Sequence, residues 1–184
     1  MFEGTKVFSY RHDLGRSPRF INLVNIRAIQ KFVEKFLKFQ KVGLISLEAF
    51  DLIRIDEGVP RAGVDYSTEN FPQESALGDH ISYNKGCYIG QEPHARMYHR
   101  GHPNWLSVWL KIPENSPAFI GSPLFQSGKK IGEITSYGTI IRDEGFRRGI
   151  AMIRHEIAKG NKLLSLEPYQ KPFIEHEPLP SNIL

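Results

Sequence analysis

The chain has 184 residues, a mass of 21.1 kDa and a formal charge of +4, with 40% hydrophobic and 24% charged residues. This ordinary globular composition excludes collagen-like, coiled-coil and disordered chains, each of which needs a compositional bias. The basic excess is spread along the chain and no apolar stretch is long enough to cross a bilayer, so neither a DNA-binding surface nor a membrane protein is predicted. Without a secretory signal, and with Cys87 as its single cysteine, the chain is expected in the cytoplasm, or in the mitochondrial matrix of a eukaryote.

Two strands and a helix are predicted near the start of the chain. Apolar residues alternate around residues 7–10 and 20–24, on either side of a turn over residues 15–18. Residues 26–37 then repeat apolar side chains at helical spacing, with Asn25 as a suitable cap. The aromatic stripe of this helix is predicted to be a core face rather than a cofactor site.

A second helix and a long connection follow. Residues 47–55 are predicted to be helical, with Ser46 as cap and Gly58 beyond the end. Residues 58–86 are rich in glycine, proline and polar residues, which predicts an irregular segment. Irregular connections of this length in compact domains are usually functional.

The remainder of the chain is predicted to be rich in strands. Short apolar runs separated by turn signals predict strands over residues 106–112, 124–126, 130–136, 149–154 and 162–166. The predicted fold class is therefore α+β, in which helices packed on a small mixed or antiparallel sheet are followed by an antiparallel β-barrel. The predicted domains are residues 1–103 and 104–170, and the proline-rich residues 171–184 are predicted to be an extended tail.

The segment over residues 84–92 carries the strongest chemical signal. Cys87 lies between Gly86 and Gly90, with Lys85 two residues away. Pro93 suits the first turn of a helix, so a helix is predicted to begin near Gly90 and to run through residue 97. A cysteine just before a helix N-terminus is favoured as a thiolate, although a lone cysteine in a globular protein is more often buried and inert.

The sequence KGCYIGQE at residues 85–92 resembles the signature of YgfZ-type proteins, which are relatives of the glycine-cleavage T-protein. Further segments resemble the same family, namely residues 52–61, 71–74, 100–102 and 132–136. The resemblance covers most of residues 45–166 and implies a T-protein-like fold.

The resemblance also implies a function, which is to act as an accessory factor in iron–sulfur cluster assembly or repair. The implied factor is linked to tetrahydrofolate, holds a cluster only transiently if at all, and has as partners iron–sulfur client proteins, including enzymes that modify tRNA. The functional thiol of the family falls on Cys87, and its supporting residues fall on Lys85, Gly86, Tyr88, Gly90, Gln91 and Glu92. Arg54 matches an arginine near the folate pocket of T-proteins, and the alternative is an ordinary arginine on the helix surface.

The chain departs from this family in two respects. The turn that carries a pterin-binding acid in T-proteins corresponds to Gly15-Arg16-Ser17-Pro18, which has no acid. The family also has a further N-terminal segment, which holds the catalytic aspartate of the aminomethyltransferases. The alternative function is therefore a folate-dependent aminomethyl or one-carbon transferase, or half of one, completed by another chain. A homodimer is expected because apolar surface would be left exposed, and a shortened relative without activity is the third possibility.

Two further kinds of site are considered and not predicted. Four histidines lie near Cys87 in sequence, but their spacing matches no closed metal site, so no metal ligand is assigned; they are His80, His94, His99 and His102. A thiol hydrolase pairing Cys87 with a histidine and with Glu92 or Asp79 lacks any sign of an oxyanion hole.

Overall fold

The computed structural model describes residues 4, 6–13, 18–142, 144–160 and 162–179. The chain divides into two compact units, residues 1–51 and residues 52–184. The turn predicted over residues 15–18 lies outside the described residues, except for Pro18. No helix in the described part of the chain has both the length and the apolar character needed to cross a membrane.

The first unit contains a hairpin and a helix. Strands β1 (Phe8–Arg11) and β2 (Phe20–Leu23) form where their alternation predicts, and they pair antiparallel. Helix α1 (Ile29–Leu37) follows a 3₁₀ turn over Ile26–Ala28, in which the Asn25 side chain accepts a hydrogen bond from the backbone of Arg27 at 2.9 Å. The prediction that the stripe of this helix forms a core face is wrong, because no residue of α1 is buried. Periodicity identifies the apolar face of a helix, but it does not specify what covers that face.

Helix α2 (Leu47–Asp56) begins where the sequence predicts and ends one residue beyond the predicted end. The Ser46 hydroxyl accepts a hydrogen bond from the backbone of Ala49 at 3.1 Å and so caps its first turn. At the other end Gly58 has φ +69°, and the amides of Gly58 and Val59 donate to the carbonyls of Ile55 and Arg54. This pair of bonds is a Schellman motif, in which glycine tolerates the left-handed position.

The second unit is built on an antiparallel sheet. Among the described residues the sheet has five strands in the order β4-β5-β6-β3-β7. The strands are β3 (Trp105–Pro113), β4 (Pro123–Gln126), β5 (Lys129–Ile141), β6 (Phe146–Arg154) and β7 (Glu175–Pro178). Outside the sheet lie α3 (Gln91–Arg100) and the short α4 (His155–Ala158).

The two edges of this sheet are linked by backbone hydrogen bonds. Ser165 pairs with Phe125 of β4, and its neighbour Leu164 pairs with Ile174, the residue before β7. Hydrogen bonding therefore runs around the sheet, which gives it the character of the predicted antiparallel barrel. The segment predicted as an extended tail supplies β7, and Leu179 beyond it is fully buried.

The core of the second unit has two parts. The larger cluster contains Val108, Leu110 and Ile112 from β3 with apolar residues from β5, β6 and residues 164–174. The smaller cluster contains Trp109 from the other face of β3 with Ile55. The Trp109 indole donates a hydrogen bond to the Ile55 carbonyl at 2.8 Å, so the end of α2 is held against the sheet. The strand-rich part begins at Trp105, close to the predicted domain boundary at 103/104, which itself stays a prediction.

Candidate functional site

Cys87 lies in a loop over residues 84–90, called the motif loop, immediately before α3. The cysteine is free and exposed, and it makes no hydrogen bond with any residue that the structure describes. A cysteine in this position is open to reagents and partner proteins, unlike the buried, inert cysteine that was the alternative.

Helix α3 begins at Gln91, where the sequence predicted its start, and ends three residues beyond the predicted end. Gly90 is its N-cap with φ +83°, a backbone conformation that glycine adopts without strain. Glu92 lies in the first turn, where a negative charge is favourable. The motif loop therefore ends in a left-handed residue, and Cys87 lies three positions before that cap.

The supporting residues of the motif loop make contacts with one another. The Lys85 ammonium lies 4.6 Å from the centre of the Tyr88 ring, a cation–π distance. The Tyr88 carbonyl accepts a hydrogen bond from the Gln91 backbone at 3.2 Å. Ile89 between them is fully exposed. The loop thus presents a positive charge, a thiol and an exposed apolar side chain within the five residues 85–89.

The turn over residues 71–74 holds α3 in place. The Gln73 side chain joins His94 of α3 twice, through its carbonyl oxygen to Nδ1 at 3.0 Å and through its amide to the backbone oxygen at 3.4 Å. The same amide donates to the Tyr83 hydroxyl at 3.2 Å. The Glu74 carbonyl accepts from the Ser107 backbone at 2.7 Å, which ties the turn to β3. The turn over residues 71–74 therefore contacts the helix that begins within the motif.

Arg54 lies in a buried ion pair that the sequence did not indicate. Its side chain is 3% exposed, and its guanidinium contacts the Asp65 carboxylate at 2.5 Å and the Ser136 hydroxyl at 2.7 Å. Asp65 also accepts hydrogen bonds from the hydroxyls of Thr135 and Ser136, both at 2.6 Å, and from the Arg61 backbone at 2.9 Å. Neither sequence-based alternative for Arg54 anticipated this pair, and its contact with folate stays a prediction.

The sequence-predicted site residues therefore fall in two places. Residues 85–92 form the motif loop and the start of α3, whereas Arg54 lies in the ion pair beneath β5. Asp65 was missed because it lies in the irregular connection and carries no motif of its own. Thr135 and Ser136 belong to residues 132–136, one of the segments that resemble the family. That resemblance was the one sign in the sequence that this part of β5 could belong to a site.

The histidines near Cys87 point to different partners. His94 binds Gln73, the ring of His99 meets that of Tyr98 edge-on at 4.9 Å, and His102 stacks on His155. In the described part of the chain, no group of three or more His, Cys, Asp or Glu residues is arranged to hold a metal ion.

A cleft of about 340 Å³ opens beside the end of α3, and we call it the histidine cleft. It is lined by Gln73, Gly78, Tyr83, Met97, Tyr98, Gly101, His102, Pro103, Leu106, His155 and Lys159. The rings of His102 and His155 are nearly parallel at 4° and their centres are 4.0 Å apart. Burial lowers the pKa of His155, and the nearby His102 and Lys159 lower it further, whereas Glu156 opposes the shift.

Proteins named YgfZ or aminomethyltransferase are similar to part of this sequence. No protein-family model matches the chain. It is 30% identical over 129 residues to the tRNA-modifying protein YgfZ of Colwellia psychrerythraea, covering 67% of this chain and 39% of that protein. It is also 30% identical over 114 residues to an aminomethyltransferase of Lysinibacillus sphaericus, covering 61% of this chain and 30% of that protein. The chain thus spans less than half the length of these relatives.

The fold is that of a known transferase. Glycine cleavage system aminomethyltransferase T from Bartonella henselae superposes with a TM-score of 0.75 at 21% identity, covering 95% of this chain and 49% of that chain. The chain therefore has a T-protein-like α+β fold, as predicted. Over part of its length it is related to YgfZ-type proteins and to aminomethyltransferases, which confirms the resemblance seen in the motif.

Proposed function

We propose that this chain is an accessory factor in iron–sulfur cluster assembly or repair and that it acts through the thiol of Cys87. The observation that carries the proposal is the exposed, free cysteine in the motif loop. A thiolate is the usual protein ligand of cluster iron, but a cluster normally takes four ligands. Cys87 would therefore replace one cluster ligand while a partner protein supplies the others, and the cluster is cargo rather than a resident group.

The clients in this proposal are iron–sulfur enzymes that modify tRNA. The relative from Colwellia psychrerythraea is named a tRNA-modifying protein, which supports this choice. Exposed Ile89 and the positive charge of Lys85 flank the thiol and suit a contact with a protein surface that is partly apolar and partly acidic.

Tetrahydrofolate is the proposed small-molecule ligand, and the T-protein-like fold supports it. Arg54 does not fit the role of meeting the carboxylates of a folate tail in this conformation. Its guanidinium is 3% exposed and bound to Asp65 and Ser136, so a folate carboxylate would have to displace an internal ion pair. No step of the proposed function is therefore assigned to folate.

Replacement of Cys87 tests the proposal. Cys87→Ala should abolish the support of an iron–sulfur tRNA-modifying enzyme in cells that depend on this protein, while the melting temperature stays within about 1 °C, because exposed substitutions cost little. Asn84→Ala, which changes another exposed residue of the motif loop, is the matched control and should leave that support intact. Full support of the client enzyme by Cys87→Ala would exclude the thiol from the function.

The second candidate is a folate-dependent one-carbon transferase completed by another chain. It is favoured by the aminomethyltransferase relative and by the structural match, of which this chain covers 49%. Calorimetric titration with tetrahydrofolate separates the candidates. Binding together with methylene transfer would establish the transferase, whereas binding without transfer would favour the accessory factor. Absence of binding would exclude the transferase and would remove tetrahydrofolate from the leading proposal.

A homodimer is also part of the proposal. The first unit exposes large apolar side chains on β1, β2 and α1, including Phe8, Phe20, Leu23 and Phe36. Exposed apolar side chains of this size are typical of interaction surfaces, and a second copy of the chain is the proposed occupant. Sedimentation that shows only monomer at concentrations up to about 100 μM would refute the homodimer, since it would place the dimer Kd far above that of stable dimers.

A further inference from the structure

We propose that the histidine cleft binds a small molecule in which a flat aromatic ring carries one anionic group, a carboxylate or a phosphate. The inference does not rest on the iron–sulfur proposal, because Cys87 is not among the residues that line the cleft. The inference is argued from the size of the cleft, from the basic residues His102, His155 and Lys159 in its lining, and from the aromatic residues Tyr83 and Tyr98.

The charge in the cleft favours an anion. None of the described residues that line it is acidic, and Lys159 is a basic residue. Lys159 follows α4 and lies four residues after His155, so the two side chains lie on one side of that turn. With His102 they form a corner that holds three basic groups and no balancing carboxylate in its lining.

His155 contributes an imidazole to this corner. It is 7% exposed, and its imidazole makes no hydrogen bond to any residue that the structure describes. Its ring contact is the parallel stack with His102. Because His155 lines the cleft, a ligand oxygen there could accept a hydrogen bond from its imidazole.

An anion would also change the protonation of this corner. Burial lowers the pKa of His155, and the nearby His102 and Lys159 lower it further, so His155 is neutral in the free protein near neutral pH. The carboxylate of Glu156 raises the pKa of His155 and so opposes this shift. A bound carboxylate would favour the imidazolium, and binding would therefore take up a proton and strengthen as the pH falls.

The remaining walls of the cleft suit a flat ring. The rings of Tyr83 and Tyr98 stack on each other, with their centres 4.2 Å apart and an angle of 21° between their planes. Met97, Pro103 and Leu106 add apolar surface. The volume of about 340 Å³ lies at the lower end of the range of about 300–1,000 Å³ for small-molecule sites. This size admits one ring system with its charged group rather than a long chain.

Two ligands test the inference on the full chain, 4-hydroxybenzoate and uridine monophosphate, each titrated by calorimetry. Saturable binding of either one supports the proposal, and the ligand that binds more tightly identifies the anionic group. Absence of binding of both at about 5 mM overturns it. Uridine binding as tightly as its monophosphate would also overturn it, since the anionic group would then contribute nothing.

Substitutions locate the site. Lys159→Ala should weaken binding about tenfold, the loss expected for one charge-assisted hydrogen bond, while Lys171→Ala, at an exposed lysine outside the cleft, should not. His102→Ala changes an exposed residue and so tests the corner without disturbing the core. Equal affinity in wild type, Lys159→Ala and His102→Ala would place the binding elsewhere and overturn the inference.

The pH dependence distinguishes the histidine corner from a simple lysine contact. The carboxylate of 4-hydroxybenzoate stays ionised between pH 6 and 8, so its affinity should rise about threefold or more on acidification through the histidine range. The imidazole carbon-bound proton signals of His155 should titrate at higher pH in the complex than in the free protein. An affinity that does not change with pH, together with an unchanged titration of His155, would overturn the role of His155.

Unchanged binding by Cys87→Ala would confirm that the site is independent of the thiol.

Discussion

Removal of the Asp65 carboxylate tests whether the buried ion pair with Arg54 holds the end of α2 against the barrel. Asp65→Ala leaves the guanidinium without its counter-ion and also removes the acceptor for Thr135, Ser136 and the Arg61 backbone. Loss of one partner from a buried pair costs about 3–5 kcal/mol in the free energy of unfolding. For a chain of this length each kcal/mol lowers the melting temperature by about 2–4 °C, so a fall of about 6–20 °C is expected.

Urea denaturation followed by tryptophan fluorescence measures this loss, because Trp109 is buried and bonded to Ile55 at the end of α2. Lys130→Ala is the matched control, since its ion pair with Glu133 is more than half exposed and should contribute at most about 1 kcal/mol. A loss for Asp65→Ala no larger than that of the control would refute the reasoning. The double variant Arg54→Met/Asp65→Leu should be much less destabilised than the sum of its single variants, because it leaves no unpaired charge.

Two further predictions concern packing and pH. Gly132→Ala should lower the free energy of unfolding, measured by urea denaturation, by about 3 kcal/mol or more, because its Cβ would lie 2.2 Å from the Met152 carbonyl oxygen. The control is Gly86→Ala, whose Cβ would meet open space and which should cost less than about 0.5 kcal/mol. Equal losses of stability in the two variants would contradict this prediction. Burial lowers the pKa of both His155 and His176, so the unfolded chain takes up these protons first and the free energy of unfolding should fall as the pH drops below about 6.5. The double variant His155→Gln/His176→Gln should lose less stability on acidification than wild type, and an identical loss would refute the assignment.

Local patterns predicted the regular elements well. The caps at Asn25 and Ser46, the end of α2 at Gly58 and the start of α3 after Gly90 were all readable, because each depends on a few neighbouring residues. Strand alternation likewise predicted most of the barrel. The short helix α4 carried no such pattern, since a single turn is too brief to show a helical period.

The candidate site was only partly accessible to the same reasoning. The motif over residues 85–92 drew attention to Cys87, and its exposure agrees with the requirement that the thiol be reachable. The histidine cleft was not predicted, because His102 and His155 are separated by 53 positions and meet only when α4 packs against β3. The buried state of Arg54 was also missed, since its partner Asp65 lies in a segment without regular structure.

The sequence by itself determined where helices α1 to α3 and strands β1 to β6 lie, and it placed one thiol between two glycines ahead of a helix. These features depend on interactions between neighbours in the chain, which a linear pattern records. Only the tertiary structure decided that Arg54 pairs with Asp65, that residues 164–165 link the edges of the sheet, and that two distant histidines stack in one cleft. The physical reason is that these contacts join residues far apart in sequence, so their partners are chosen by packing and burial and not by local pattern.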